Sequence, residues 1–282
     1  MTAPRTAPAT PKYLVSTDLD GTLLDHHTYA WEAAKPALAF LHEQHIPVIF
    51  NTSKTLAEAL ALQKTMGICQ AVIVENGSAL AIPKTQLPLF FPKGIHQALT
   101  EAEQHSILTF GQPRAEILQF IAQQKDQLGP ILESYNDWSI ETIAEKTGLP
   151  LTTAKLSAAK DYSEPFIWLS NEQTFERFQH NAKQAGLAIT QGGRFYHLLG
   201  DTNKAKPLRW LCEQLAQPTL ICLGDNKNDI AMLNAANIPV CVKSPTGPYP
   251  SIKANPNTIF TEGYGPIGWN EAITKIFNNK SG

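Results

Sequence analysis

The sequence predicts an α/β fold: a parallel sheet covered by helices on both faces, with a second α/β module inserted into it. Three observations carry this reading. Short apolar, β-branched runs alternate with helix-spaced patterns through the first and last thirds of the chain. That rhythm breaks between Pro83 and Gly193. Polar loops rich in Asp, Asn, Thr and Lys follow directly on the apolar runs, where open α/β sheets gather their ligands.

Tyr13–Thr17 (YLVST) reads as a buried strand that stops at the polar turn DLDGT. From Pro36, suited to a first helical turn, Ala37, Leu38 and Leu41 recur at helical spacing before a strand over 46–50. A helix over Leu56–Met66, a strand over 71–74, the turn Glu75-Asn76-Gly77 and a short strand into Ile82 complete the first part. The middle reads as helices over 114–127, 139–146, 151–159 and 171–185 with a strand over 166–169. After Gly193 come strands over 195–199, 219–223 and 239–242 and helices over 204–215 and 229–234. The expected division is a mobile Pro/Ala/Thr-rich tail over 1–11, a core made of 12–83 and 194–282, and an inserted module over 84–193.

With 282 residues, 43% hydrophobic and 17% charged, the chain has ample material for a core and too little charge for a disordered protein. Lys plus Arg number 23 against 25 acidic residues, and no run of like charge appears, which argues against nucleic acid as a partner. The longest apolar runs, 71–74 and 220–223, fall far short of the ~20 residues that cross a bilayer. The N-terminus has no signal-peptide core, and Cys69, Cys212, Cys222 and Cys241 form no CxxC pair. A cytoplasmic protein, monomer or homodimer, acting on a small molecule is the expectation.

Asp18 and Asp20 lie two apart after the first strand, with Gly21 to turn the backbone and Thr22 to bond within the loop. Alone, such a loop could equally be an Asx-turn or a calcium site. Three further loops follow strands in order: Thr52 and Ser53, then Lys204, then Gly224-Asp225 with Asn228-Asp229. One crevice can therefore collect two acidic pairs, a hydroxyl and an ammonium. A phosphate monoester is a dianion that a carboxylate approaches only if a cation and hydrogen-bond donors offset the repulsion. Asp18, Asp20 and Asp225 offer hard oxygen ligands for Mg²⁺, Lys204 balances charge, and Thr52 can hold phosphoryl oxygens. His26 and His27 are read as solvated rather than as ligands of so hard an ion.

DLDGT at 18–22, TSK at 52–54, Lys204 in NKAK and GDNKND at 224–229 resemble the four motifs of the haloacid dehalogenase superfamily of phosphohydrolases. The resemblance implies a Rossmann-like core of that superfamily. It also implies Asp18 as nucleophile and Asp20 as general acid and base, with Mg²⁺ held by Asp18, Asp20, Asp225 and Asp229. Asp20 and Asp225 together argue against halide chemistry. About 150 residues separate Ser53 from Lys204, which implies a mixed α/β cap of the C2 type rather than a helical cap after the first motif. In the lysine motif Ala205 stands where glycine is commoner, and Lys206 is a competing candidate.

Within the superfamily the chain resembles the mannosyl-3-phosphoglycerate phosphatase family, through NTSKT at 51–55, ENGS at 75–78, the segment 147–166, GGRFYHLLG at 192–200 and GPIGWNEAI at 265–273. That implies a mannosyl- or glucosyl-3-phosphoglycerate substrate, hydrolysed to a glycosylglycerate used as a compatible solute. Ser53, Lys54, Asn76, Gly77, Ser163, Glu164, Arg194 and Asn228 are the expected substrate contacts, Lys54 and Arg194 supplying charge. Another sugar phosphate, of sucrose-phosphate or hexose-phosphate type, is the alternative. A non-catalytic sugar-phosphate binder, or a phospho-acceptor signalling module, accords less well with an acid pair after the first strand and a long insert. Phe90, Phe91, Trp168 and Phe175 are expected in the core of the insert, and its hinges near residues 82–84 and 192–193.

Overall fold

The structure is a computed structural model that describes residues 11–91, 99–101, 104–192 and 195–278. Its strands are β1 (Tyr13–Thr17), β2 (Val48–Asn51), β3 (Val72–Val74), β4 (Ala79–Pro83), β5 (Thr100–Glu101), β6 (His105–Thr109), β7 (Leu132–Ser134), β8 (Ser163–Trp168), β9 (Leu187–Gly192), β10 (Phe195–Gly200), β11 (Thr219–Gly224), β12 (Ile238–Lys243) and β13 (Ile259–Tyr264). Among the described residues they form two sheets, β13-β12-β11-β1-β2-β3-β4-β6-β5 and β7-β8-β10-β9. The large sheet is parallel from β13 to β3 and antiparallel beyond.

Strand β1 lies in the middle of the parallel part, between β11 and β2. Its alternation sends Val15 to one face and Leu14 to the other. On the first face Val15, Phe50 and Leu223 pack with Leu41 of helix Lys35–Glu43 and with Trp269 and Ile273 of helix Gly265–Asn278. On the second, Leu14, Ile49 and Cys222 pack with Leu208 and Leu211 of helix Ala205–Gln214 and Met232 of helix Ile230–Ala235. Each such fully buried side chain is worth roughly 1.5–3 kcal/mol, which fixes the sheet and with it the loops at its carboxyl edge. Cys212, Cys222 and Cys241 are free thiols buried in the core, and Cys69 is exposed.

The small sheet is antiparallel, with helices Arg114–Leu128 and Glu172–Gln184 against one face around Phe120, Phe166, Phe178 and Leu198. Alternate residues of the same strands, Pro165, Phe195 and His197, face the other way and roof a cavity over the large sheet's loops.

Sheet membership puts the boundaries elsewhere than residues 84 and 193. Strand β4 pairs with β6 from Ala79↔Thr109 to Pro83↔His105, so residues 82 and 83 belong to the large sheet, and Lys84 opens a short 3-10 turn after it. Strand β10 belongs to the small sheet through β8 and β9. The chain crosses between the sheets near 110–113 and 200–202. There the two passages lie side by side, so close that a Cβ on Gly200 would come 2.7 Å from the Gln112 nitrogen. Phe90 and Phe91 pack against the large sheet, whereas Trp168 and Phe175 join the insert's core. The tail over 1–10 and the proposed hinge residue Gly193 lie outside the described residues.

Candidate active site

The loop after β1 is built onto the loop after β11. The Asp18 amide donates to the Leu223 carbonyl at 2.9 Å, and the Thr22 hydroxyl donates to Asp225 at 3.1 Å. Gly21 takes φ +80°, and a Cβ there would lie 2.7 Å from an Asp225 oxygen. Lys204, wholly buried, enters from the start of helix Ala205–Gln214 and donates to Asp18 Oδ1 at 2.6 Å and Asp229 Oδ1 at 2.7 Å. The other Asp229 oxygen accepts the Asp225 and Asn226 amides at 3.1 and 3.0 Å. Lys206 instead reaches the carbonyls of Phe110 and Asp201 at the surface.

One ammonium faces three buried carboxylates here. Burial pushes the Asp18 carboxyl well above the usual range, and Asp229 pushes it further while Lys204 pulls it back. Asp225 is pushed up to about 6 by burial and by Asp229. Burial works against the Lys204 charge, yet Asp18 and Asp229 hold its pKa above the ordinary value. Asp18, Asp225 and Asp229 each offer an oxygen, all within 4.8 Å of one another. Hard oxygen donors bearing uncompensated negative charge fit a divalent cation of the Mg²⁺ kind. Asp229 has both oxygens already engaged, so it braces Lys204 and the 225–226 backbone, while Asp225 is held by the Thr22 and Ser244 hydroxyls.

Asp20 is turned away from these three and pairs with Lys54 at 2.9 Å. Its Oδ1, shut from solvent, has no hydrogen-bond partner among the described residues. Burial opposes the Lys54 charge, but Asp20 and Glu58 raise its pKa above the ordinary lysine value. Thr52, buried, accepts the Lys54 amide at 3.1 Å and so shapes the TSK turn, and Thr55 caps helix Leu56–Met66 through a capping box with Glu58. Asn76 accepts from Asn228 at 3.3 Å, linking the loops after β3 and β11. Gly77 has φ +95° and lies against the Asn203 carbonyl, where a Cβ would come within 2.0 Å. It positions the lysine loop instead of offering a side chain.

Two expected cap contacts have other partners. Ser163 donates to Glu75 at 2.5 Å, and Glu164, wholly buried, binds the Arg114 guanidinium at 2.6 Å and the Asn136 amide at 2.7 Å. Arg194 lies outside the described residues. A cavity of about 380 Å³ between the insert and the loops is lined by Asp20, Ser53 and Lys54 below and by Tyr135, Lys160 and His197 above. Lys160 and His197 were not singled out from the sequence, because a lysine at a helix end and a histidine in a strand carry no local signal of a pocket. His26 also lines it.

The chain has relatives among known proteins. The family described as haloacid dehalogenase-like hydrolase matches residues 15–249. The chain belongs to that family. A glucosyl-3-phosphoglycerate/mannosyl-3-phosphoglycerate phosphatase of Methanococcoides burtonii is 36% identical over 279 residues, covering 96% of this chain and 99% of that one. The same-named protein of Persephonella marina is 34% identical over 271 residues, covering 94% and 97%. A solved haloalkanoate-superfamily phosphatase from Bacteroides thetaiotaomicron superposes with a TM-score of 0.67 at 18% identity, covering 98% of each chain, which shows the shared fold. Among the described residues no helix is long and apolar enough to cross a membrane.

Proposed function

We propose that this family member is a Mg²⁺-dependent phosphatase of glucosyl- or mannosyl-3-phosphoglycerate. The observation that carries the chemistry is the buried cluster of Asp18, Asp225 and Asp229 around Lys204, with Asp20 set apart from it on Lys54. The two relatives that match end to end support the substrate class.

Asp18 and Asp225 would hold the cation, with Asp229 fixing Lys204 and the 225–226 backbone beside it. When bound, that ion offsets the charge of the phosphoryl group so that a carboxylate can approach it. Lys204 counters the rise in the Asp18 pKa and aims its carboxylate, and an Asp18 oxygen attacks phosphorus as the ester P–O bond breaks. Asp20 Oδ1 gives its proton to the leaving glycerate oxygen, then takes one from the water that cleaves the acyl phosphate, which restores Asp18 and releases phosphate. Thr52, Ser53 and the loop amides hold the phosphoryl oxygens. The insert acts as a cap that closes the cavity and excludes water during transfer. Phosphate release measured over a panel of sugar phosphates and glycosyl-3-phosphoglycerates tests this reading. A marked preference for the latter is expected, and equal weak activity on all would overturn it.

A further inference from the structure

A substrate built on 3-phosphoglycerate brings a second anion, a carboxylate only a short carbon chain from its phosphate. The crevice must therefore carry a cation close to the phosphoryl loops that is not already neutralised. Lys54 is held by Asp20 at 2.9 Å and so is tied to the acid–base residue. Lys160, two residues past the insert's helix Leu151–Ala158, forms no ion pair among the described residues.

Lys160 is buried and lines the cavity from above. Its ammonium donates to the Ser53 carbonyl at 3.0 Å, which brings it to the TSK turn. An ammonium has three donors, and an ionised group held out of water costs several kcal/mol unless it is partnered. Among the described residues no carboxylate lies within ion-pair distance of it. Glu75 feels the Lys160 charge without forming an ion pair with it, and its oxygens accept from the Asp161 and Tyr162 amides at 2.9 and 3.2 Å and from Ser163. Beside Lys160, His197 presents an Nδ1 that is shut from solvent and has no hydrogen-bond partner among the described residues. Burial, with Lys160 adding to it, lowers its pKa to about 3, so the ring is neutral and adds a hydrogen-bonding atom without a second charge.

We propose that Lys160 binds the glycerate carboxylate of the substrate and is the residue that separates phosphoglycerate-type substrates from plain sugar phosphates, with His197 completing the same subsite. The assignment rests on the substrate class proposed above. Lys160 touches neither Asp18 nor Asp20, so its effect falls on recognition of the leaving group and not on the attack at phosphorus.

The test compares kcat/KM for glucosyl-3-phosphoglycerate with kcat/KM for glucose 6-phosphate in the Mg²⁺-loaded full chain, for the native protein, Lys160→Met and Lys160→Arg. Lys160→Met is expected to lower the ratio of the two by about tenfold or more, mainly through KM for the carboxylate-bearing substrate, as loss of a charge-assisted contact does. Lys160→Arg is expected to restore most of it. An unchanged ratio in Lys160→Met, including equal losses on both substrates from a loosened insert, would overturn the proposal. A native protein without preference for the phosphoglycerate substrate would instead overturn the substrate class itself, a result read before any variant is made.

Discussion

Lys204 holds together charges that could not share a buried site without it. Replacing it with Met leaves Asp18 and Asp229 facing each other with no counter-charge. Removal of one member of a buried charged network typically costs about 3–5 kcal/mol. Lys204→Met is therefore expected to lower the urea midpoint and to abolish turnover together, and full stability in urea would show that the network does not stabilise the native state. His197 sets a second residue-scale expectation. Its folded pKa of about 3 lies below the ordinary value of 6.5, so the unfolded chain binds its proton first as pH falls. Its contribution is fully present above pH 6.5 and is lost as pH falls toward 3. His197→Gln should flatten that limb of a stability–pH curve, and an identical curve would remove His197 from the account.

Elements aim these side chains. The turn after β3 has Glu75, Asn76 and Gly77 in succession at φ of 46°, 57° and 95°. Strained backbone of this kind persists only where its surroundings hold it. Here the Thr202 hydroxyl bonds the Gly77 carbonyl at 2.8 Å, and the Asn51 amide bonds the Lys204 carbonyl at 2.8 Å. Gly77→Ala would drive a Cβ into the Asn203 carbonyl and tilt the lysine loop. A loss of about 2 kcal/mol or more in stability, with a lower kcat, is expected in denaturation and steady-state assays. The loops at the strand ends were legible in the sequence because Asp18, Thr52 and Asp225 each fall within two residues of a short apolar run, and Lys204 follows one within a short polar turn. The tasks of Ser163 and Glu164 were not. Which partner a buried hydroxyl or carboxylate finds depends on Glu75, Arg114 and Asn136, distant in sequence.

At the scale of the molecule, the two sheets are joined by more than the chain crossings. Thr55 donates to the Leu156 carbonyl at 2.9 Å, Lys160 to Ser53, and Glu75 accepts from three consecutive residues, Asp161 to Ser163. The segment 156–163 is thus latched to the TSK and ENGS turns. Glu75→Ala would leave buried donors unsatisfied, a loss of roughly 1–3 kcal/mol. Faster hydrogen exchange across 156–163 is expected, and unchanged exchange there would dismiss the latch. The existence of an insert was legible from the long gap between the second and third loops. Its edges were not, because β4 and β6 pair as an antiparallel extension of the large sheet that no local pattern announces.

The account as a whole depends on Asp18 being the group that receives the phosphoryl. The most direct test is kcat for phosphate release from glucosyl- or mannosyl-3-phosphoglycerate by Mg²⁺-loaded Asp18→Asn against the native chain, with folding of both verified by melting. A fall of about a thousandfold or more with folding retained is predicted. A folded Asp18→Asn protein within tenfold of native turnover would contradict it.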